Sequence, residues 1–277
     1  AGPPAPLGKQ WCEKQQQRCV ERPSEDSVRV LGCRVHLVSA ARTVDYLEQW
    51  ISARDGRCRR VVVTGFHGLW EAHRNPAFRD VLNSAELWTP DGIVPVWVAR
   101  LRGHRNVVRA PGMDIMLEFF RRANATGYRS YFYGDTEGTL AALRRALTLN
   151  YPGHQIAGMY SPPFRALTPE EDREIVARIN DAKPDVLWVG LGMPKQDRWI
   201  YERLDRLQVP VAIGVGAAFG FAAGTVDRCP AWIGRLGFEW VYRLLKEPKK
   251  MWRRDLIDGP RFLFHLGVDL LRNGRDG

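Results

Sequence analysis

The chain has 277 residues, 45% of them hydrophobic and 26% charged, which excludes wholesale disorder and fibrous repeats. Forty-one Lys and Arg against 31 Asp and Glu leave a formal charge of +10, so an anionic partner is expected: nucleic acid, anionic lipid or a phosphate-bearing substrate. Five Cys without a CxxC pair exclude a zinc ribbon, and no run of apolar residues is long enough to span a bilayer.

Residues 1–27 are polar, open on Ala-Gly-Pro-Pro-Ala-Pro, and are expected to form a disordered tail with no leader pattern. Beyond them, apolar β-rich runs alternate with helical periodicity. The expected strands are 28–35, 60–64, 129–133, 154–157, 186–191 and 209–215. The expected helices are 43–53, 67–83, 113–125, 136–150, 169–181 and 194–207. Thr168, Pro169 and Glu171 form a helix start with a capping box. Strands alternating with helices of this length predict an α/β fold: a Rossmann-like, mainly parallel sheet flanked by helices. The body is expected over 28–227. From 228 to 277 eleven basic residues face six acidic ones among many aromatics, which predicts a C-terminal helical appendage.

In open parallel sheets ligands bind beyond the carboxyl ends of the strands. Thr64 lies at the end of such a strand, as a ligand-binding hydroxyl or a helix cap. In Trp88-Thr89-Pro90-Asp91-Gly92-Ile93, Asp91 sits at a strand-to-helix turn. It is either a turn residue or a general base that takes a proton from an attacking hydroxyl. Arg109 precedes Pro111-Gly112 and a helix, a place to present a guanidinium to phosphate, and Asp114 complements that helix start. Tyr133-Gly134-Asp135-Thr136 brings backbone amides to another strand end. Gly190-Leu191-Gly192-Met193-Pro194-Lys195-Gln196 puts a cation and an amide in a first helical turn, which an anionic ligand would favour. Gly214-Val215-Gly216-Ala217-Ala218-Phe219 permits close approach of a ligand or of a packing helix. Asp-x-Asp, HExxH, GxSxG and the P-loop are all absent, so no metal ligand is named.

Together with Leu236-Gly237-Phe238-Glu239-Trp240-Val241-Tyr242-Arg243-Leu244-Leu245-Lys246-Glu247-Pro248, these segments make the sequence resemble the WecG/TagA/CpsF family of bacterial glycosyltransferases over roughly 28–271. The resemblance implies a metal-independent, inverting transferase without a cofactor. It would move a sugar from a nucleotide sugar, UDP-linked and of the N-acetylmannosamine or hexose kind, to a polyprenyl-diphosphate-linked acceptor in envelope polymer or exopolysaccharide synthesis. Asp91 matches the family's general base, and Thr64, Arg109 and Gln196 match positions lining the catalytic pocket. Gly92, Asp114, Gly134, Gly192, Lys195, Gly216 and Phe219 are expected to bind substrate. Arg243, Lys250 and Arg253 lie where the family places basic residues near diphosphate. Two positions depart from the family pattern: Phe66 stands where it has Asn, and Gly220 where it has Asp.

The expected partners are the donor, the lipid-linked acceptor and an anionic membrane surface. The expected place is the cytoplasm, peripheral on the inner face of the plasma membrane, with a homo-oligomer left open. No nucleic acid is expected, because the basic residues follow no RNA- or DNA-binding motif. A nucleic-acid-binding protein and a catalytically inactive sugar-nucleotide-binding regulator are the alternatives.

Overall fold

A computed structural model describes residues 26–227, 229–230, 239–246 and 248–273. The expected tail lies outside the described residues except for Asp26 and Ser27. Ser27 already belongs to a strand.

The first expected strand is a hairpin, β1 (Ser27–Val30) and β2 (Cys33–His36), paired antiparallel. Leu31 and Gly32 both have positive φ, 50° and 82°, which turns the chain after four residues. Helix α1 (Ala40–Ala53) is capped by Ser39, whose hydroxyl accepts from the Arg42 amide at 3.1 Å. The segment 67–83, expected as one helix, is two: α2 (Phe66–Arg74) and α3 (Pro76–Asn83). Pro76 forces Asn75 out of the helical region, and Asn75 then caps α3 by accepting from the Phe78 amide.

Strand β3 (Arg59–Thr64) precedes α2, and β4 (Leu87–Pro90) precedes α4 (Ile93–Leu101). Then come α5 (Gly112–Thr126), β5 (Arg129–Gly134), α6 (Glu137–Asn150), β6 (Gln155–Tyr160) and α7 (Pro169–Asp181). The body closes with β7 (Val186–Gly190), α8 (Lys195–Arg203), β8 (Val211–Gly214) and α9 (Ala218–Ala222). The six strands from β3 onward form one parallel sheet in the order β4-β3-β8-β7-β5-β6. The capping box at Thr168 and Glu171 is formed as expected.

The strands from β4 to β5 across the sheet are buried on both faces and read as continuous apolar runs, whereas the edge strand β6 is only partly buried. Val61, Val63, Phe132, Trp188 and Ile213 pack under α1, α5 and α6. Tyr133, Leu187, Val189 and Ala212 pack under α7 and α8. On the first face the Ser130 hydroxyl lies 2.8 Å from His154 Nε2 and accepts from Trp188 Nε1 at 3.0 Å. Burial pushes His154 down to about 4. On the other face, burial pushes the carboxyl of Asp197 up to about 7, against the pull of the buried Arg60 guanidinium.

The appendage comprises α10 (Glu239–Lys246), α11 (Pro248–Trp252), a π-helical segment Arg253–Asp258 and α12 (Gly259–Asn273). Helix α12 docks on the body through Phe262 and Leu266, which join the core formed by the hairpin, α2, α3 and α4. Phe262 meets Phe66 and Trp70 at ring-centroid distances of 5.8 and 6.4 Å. His265 lies 3.3 Å from His73, and Asp269 accepts from the Leu31 amide at 3.3 Å. No helix among the described residues is long and apolar enough to cross a membrane.

Candidate active site

Every sequence segment singled out for chemistry in the body ends at the carboxyl edge of the parallel sheet. At β3 and β4 the register pairs Thr64 with Pro90. The next residues, Gly65 and Asp91, therefore leave the sheet side by side. A side chain at Gly65 would lie 3.6 Å from Asp91 Oδ2, and one at Gly92 would lie 3.3 Å from the Gly65 Cα. At Gly92 a side chain would crowd the Gly65 backbone, whereas at Gly65 it would meet Asp91 at ordinary contact distance. The Asp91 amide donates to Thr89 O at 3.0 Å, a tight turn that brings the carboxylate out of the strand, where it is half-buried.

Arg109 is brought to the same edge by its neighbour. The Ala110 amide donates to Pro90 O at 2.9 Å, and the Thr89 hydroxyl lies 3.3 Å from Ala110 O. Thr89 was not singled out in the sequence, yet it is fully buried and ties the Arg109 loop to β4. Its signal was a polar residue inside an apolar strand. Gly112 opens α5 against Val63 and Val215, so the half-buried Arg109 and Asp114 flank a helix start seated on the sheet edge. Thr64 is 6% exposed, and its hydroxyl is pressed under the first turn of α2 at Gly68.

A second cluster lies at the ends of β5, β7 and β8. The β5 connection leads to β6 on one side and the β7 connection to β8 on the other, so the crevice between β5 and β7 is a topological switch point. A side chain at Gly134 (φ 121°) would come within 2.6 Å of the Gly190 carbonyl, and the Asp135 amide donates to Gly190 O at 3.1 Å. Gly192 is left-handed (φ 78°) with open space around it. The α6 start is capped by the Thr136 hydroxyl, which accepts from Thr139 N.

Lys195 and Gln196 do not act together. Lys195 is exposed, whereas Gln196 is only 2% exposed and its Oε1 accepts from the Gly216 amide at 2.9 Å. Successive helical residues point about 100° apart, so one faces outward while the other props the turn after β8. Gly216 is left-handed at φ 55°. Phe219, expected as a substrate contact, is fully buried in the core, edge-on to Phe132 at 5.6 Å, with its ring filling the space above Gly190.

Of the appendage residues, Arg243 is carried on α10 and Lys250 on α11; Arg253 is exposed and stacks over Trp252 at 5.3 Å. The appendage reaches the site through Phe66, which follows Gly65 and packs on Phe262. Among the described residues no three His, Cys, Asp or Glu side chains are gathered to hold a metal ion.

The description glycosyl transferase WecG/TagA/CpsF family matches residues 28–276. A Bacillus spizizenii protein named N-acetylglucosaminyldiphosphoundecaprenol N-acetyl-beta-D-mannosaminyltransferase is 34% identical over 194 residues, 70% of this chain and 73% of its own. A Bacillus subtilis protein of the same name is 33% identical over 215 residues, 77% and 80% of the two chains. A Staphylococcus aureus protein, again so named, is 26% identical over 246 residues, 89% and 94% of the two chains. With its parallel sheet and helical appendage, this chain belongs to the WecG/TagA/CpsF family and is a glycosyltransferase.

Proposed function

We propose that the protein transfers a sugar from a nucleotide sugar to a polyprenyl-diphosphate-linked acceptor in cell-envelope polymer synthesis, with inversion at the anomeric carbon. The observation that carries the reading is the junction of the Asp91 turn and the Arg109 loop at one sheet edge, made by the Ala110–Pro90 hydrogen bond. The names of the relatives support the acceptor class and N-acetylmannosamine as the sugar.

In this reading Asp91 accepts the proton of the acceptor hydroxyl as its oxygen attacks the anomeric carbon. The bond from that carbon to the nucleotide diphosphate breaks, and the leaving diphosphate gains negative charge. Arg109, with Arg243, Lys250 and Arg253 of the appendage, supplies the compensating positive charge. The nucleotide, read as UDP, occupies the crevice at Gly134, Gly192 and Gly216; of these, Gly192 has open space around it. Gln196 holds the Gly216 turn in place. Residues 28–227 form the catalytic body, and 228–277 face the lipid.

The appendage is read as the membrane-contacting part. On α12, Leu263, Phe264, Gly267 and Leu271 are exposed at helical spacing on the face opposite Phe262 and Leu266, and Phe264 is 69% exposed. Such a stripe beside basic residues suits the interface of the inner leaflet.

The test is UDP release from a panel of UDP-sugars with an N-acetylglucosaminyl-diphosphate lipid. Turnover with UDP-N-acetylmannosamine is expected. Binding of donors without any turnover would replace this reading by that of an inactive sugar-nucleotide-binding regulator.

A further inference from the structure

The surplus charge of the C-terminal segment has a smaller counterpart in the body. Between Trp97 and Arg109 lie four arginines, Arg100, Arg102, Arg105 and Arg109, and no acidic residue. This stretch covers the end of α4 and the loop that returns to the site. The helix buries Val94, Val96, Val98 and Ala99 in the core shared with α12. Its opposite face, at spacing i, i+3 and i+4, carries Trp97, Arg100 and Leu101. Trp97 is 48% exposed and Leu101 74%, and Val108 is exposed in the loop beyond. Water is a poor environment for a large aromatic and a leucine side by side at a helix end.

We propose that the α4 face and its loop are a second membrane-contact surface, lying flat on an anionic leaflet with Trp97 and Leu101 inserted among the headgroups. The occupant is fixed by chemistry. Tryptophan is favoured at the level of the headgroups, leucine enters the acyl boundary, and arginines flanking both pair with lipid phosphate. Four arginines against one carboxylate, Asp26 at 3.5 Å from His104, leave the rim basic and argue against a second copy of this chain as occupant: two such patches would repel. The rim also fits a surface of one charge sign extending over many residues.

The location gives the surface a use, and that use rests on the lipid-linked acceptor proposed above. The proposed base, Asp91, lies two residues before α4 begins at Ile93. From Ile93 to Leu101 the helix spans about 12 Å at 1.5 Å per residue. The loop returns from the helix end to Arg109 and, through Ala110, to Pro90. Proposed base and proposed diphosphate contact are thus the two ends of one segment whose middle rests on the leaflet. A diphosphate emerging from the membrane would meet the site within about one headgroup layer of the surface, with no need to pull its lipid out.

The test uses the full chain with vesicles of phosphatidylglycerol and phosphatidylcholine, read by co-sedimentation. The Trp97→Gln/Leu101→Gln double variant alters only exposed side chains outside the proposed catalytic machinery. It is expected to bind these vesicles at least about tenfold more weakly, with its melting temperature unchanged. Turnover of a water-soluble, short-chain acceptor should be preserved, while turnover of the vesicle-borne acceptor falls. A second variant, Arg102→Ser/Arg105→Ser, should weaken binding and reduce its dependence on salt. Unchanged vesicle binding by both variants would overturn the proposal. So would a change in sedimentation coefficient of the double variant with vesicle affinity intact, which would make the patch a contact between copies. If wild type binds the vesicles through this face but turns over no lipid-diphosphate acceptor, the surface stands and the acceptor reading falls.

Discussion

The amide of Ala110 donates to the carbonyl of Pro90 at 2.9 Å, and this bond joins the segment bearing Arg109 to the turn bearing Asp91. Eighteen positions separate the two candidate side chains in sequence, including all of α4. The geometry therefore ties a carboxylate and a guanidinium to a common frame, and their chemical roles can be tested separately from the fold.

Replacing Asp91 by Asn keeps the shape of the turn and removes the proton acceptor. The expected kcat is lower by about a hundredfold or more, with an unchanged melting temperature. Steady-state kinetics with thermal denaturation checks both halves. Wild-type turnover would exclude Asp91 as the base.

Gly68→Ala tests how Thr64 is held. A methyl group at Gly68 would stand well inside contact distance of the Thr64 side chain, so Thr64 or the first turn of α2 must move. Overpacking of this kind costs about 1–3 kcal/mol. Urea denaturation should show that loss, and kcat/KM should fall with it because Gly65 and the Asp91 turn touch.

The Gln196 carboxamide is a prop. Gln196→Ala leaves the half-buried Gly216 amide without its acceptor, at a cost of about 1 kcal/mol. We expect a higher KM for the nucleotide sugar, since the loop beyond β8 loses its anchor. A stability loss with unaltered KM would separate Gly216 from the donor site.

Phe262→Ala removes the side chain that seats α12 on Phe66 and Trp70. Large-to-small changes of this kind cost about 3–5 kcal/mol. Because the lost contacts lie between α12 and the body, amide exchange should rise in α12 while β3 and β7 stay protected.

Acid stability should carry the mark of His154. Its folded pKa of about 4 lies below the unfolded value near 6.5, so the fold holds the neutral imidazole. Its contribution is present above pH about 6.5 and is lost as pH falls towards 4, where the unfolded chain binds the extra proton. The full shift is worth about 3 kcal/mol. Denaturation midpoints between those pH values should slope by nearly one proton in wild type, and His154→Gln should flatten that slope.

Much of the architecture was legible because period and punctuation agreed. Thr168-Pro169 with Glu171 announced α7, and apolar runs such as Val61–Val63 and Val186–Val189 announced strands buried on both faces. The hairpin was less legible, since a single Gly32 marks its turn and the partner residue, Leu31, carries no signal for positive φ. Asn75-Pro76 was a readable break inside 67–83, masked by apolar spacing that continues through it. At the candidate site, the carboxyl-edge rule pointed to the turns at Asp91, Arg109 and Gln196, and the structure brings these turns to that edge. It could not tell which of Lys195 and Gln196 faces the core, because a helix start without its neighbours has no fixed inside. Phe219 shows the same limit: small residues after a strand invite either a ligand or a ring, and here Phe219 itself fills the space above Gly190.

The Leu31–Asp269 hydrogen bond spans 238 positions and stitches the opening hairpin to the last helix. On the ribosome, synthesis at 5–20 residues per second puts roughly 10 to 50 s between the appearance of these two residues. During that interval Trp70 and Phe66 stand without their cover, and the hairpin lacks its clasp. Every chain released early, by a stop codon or a protease, keeps that apolar seat exposed. Docking of α12 is thereby written into the surface of the body, where chaperones and proteases can read it.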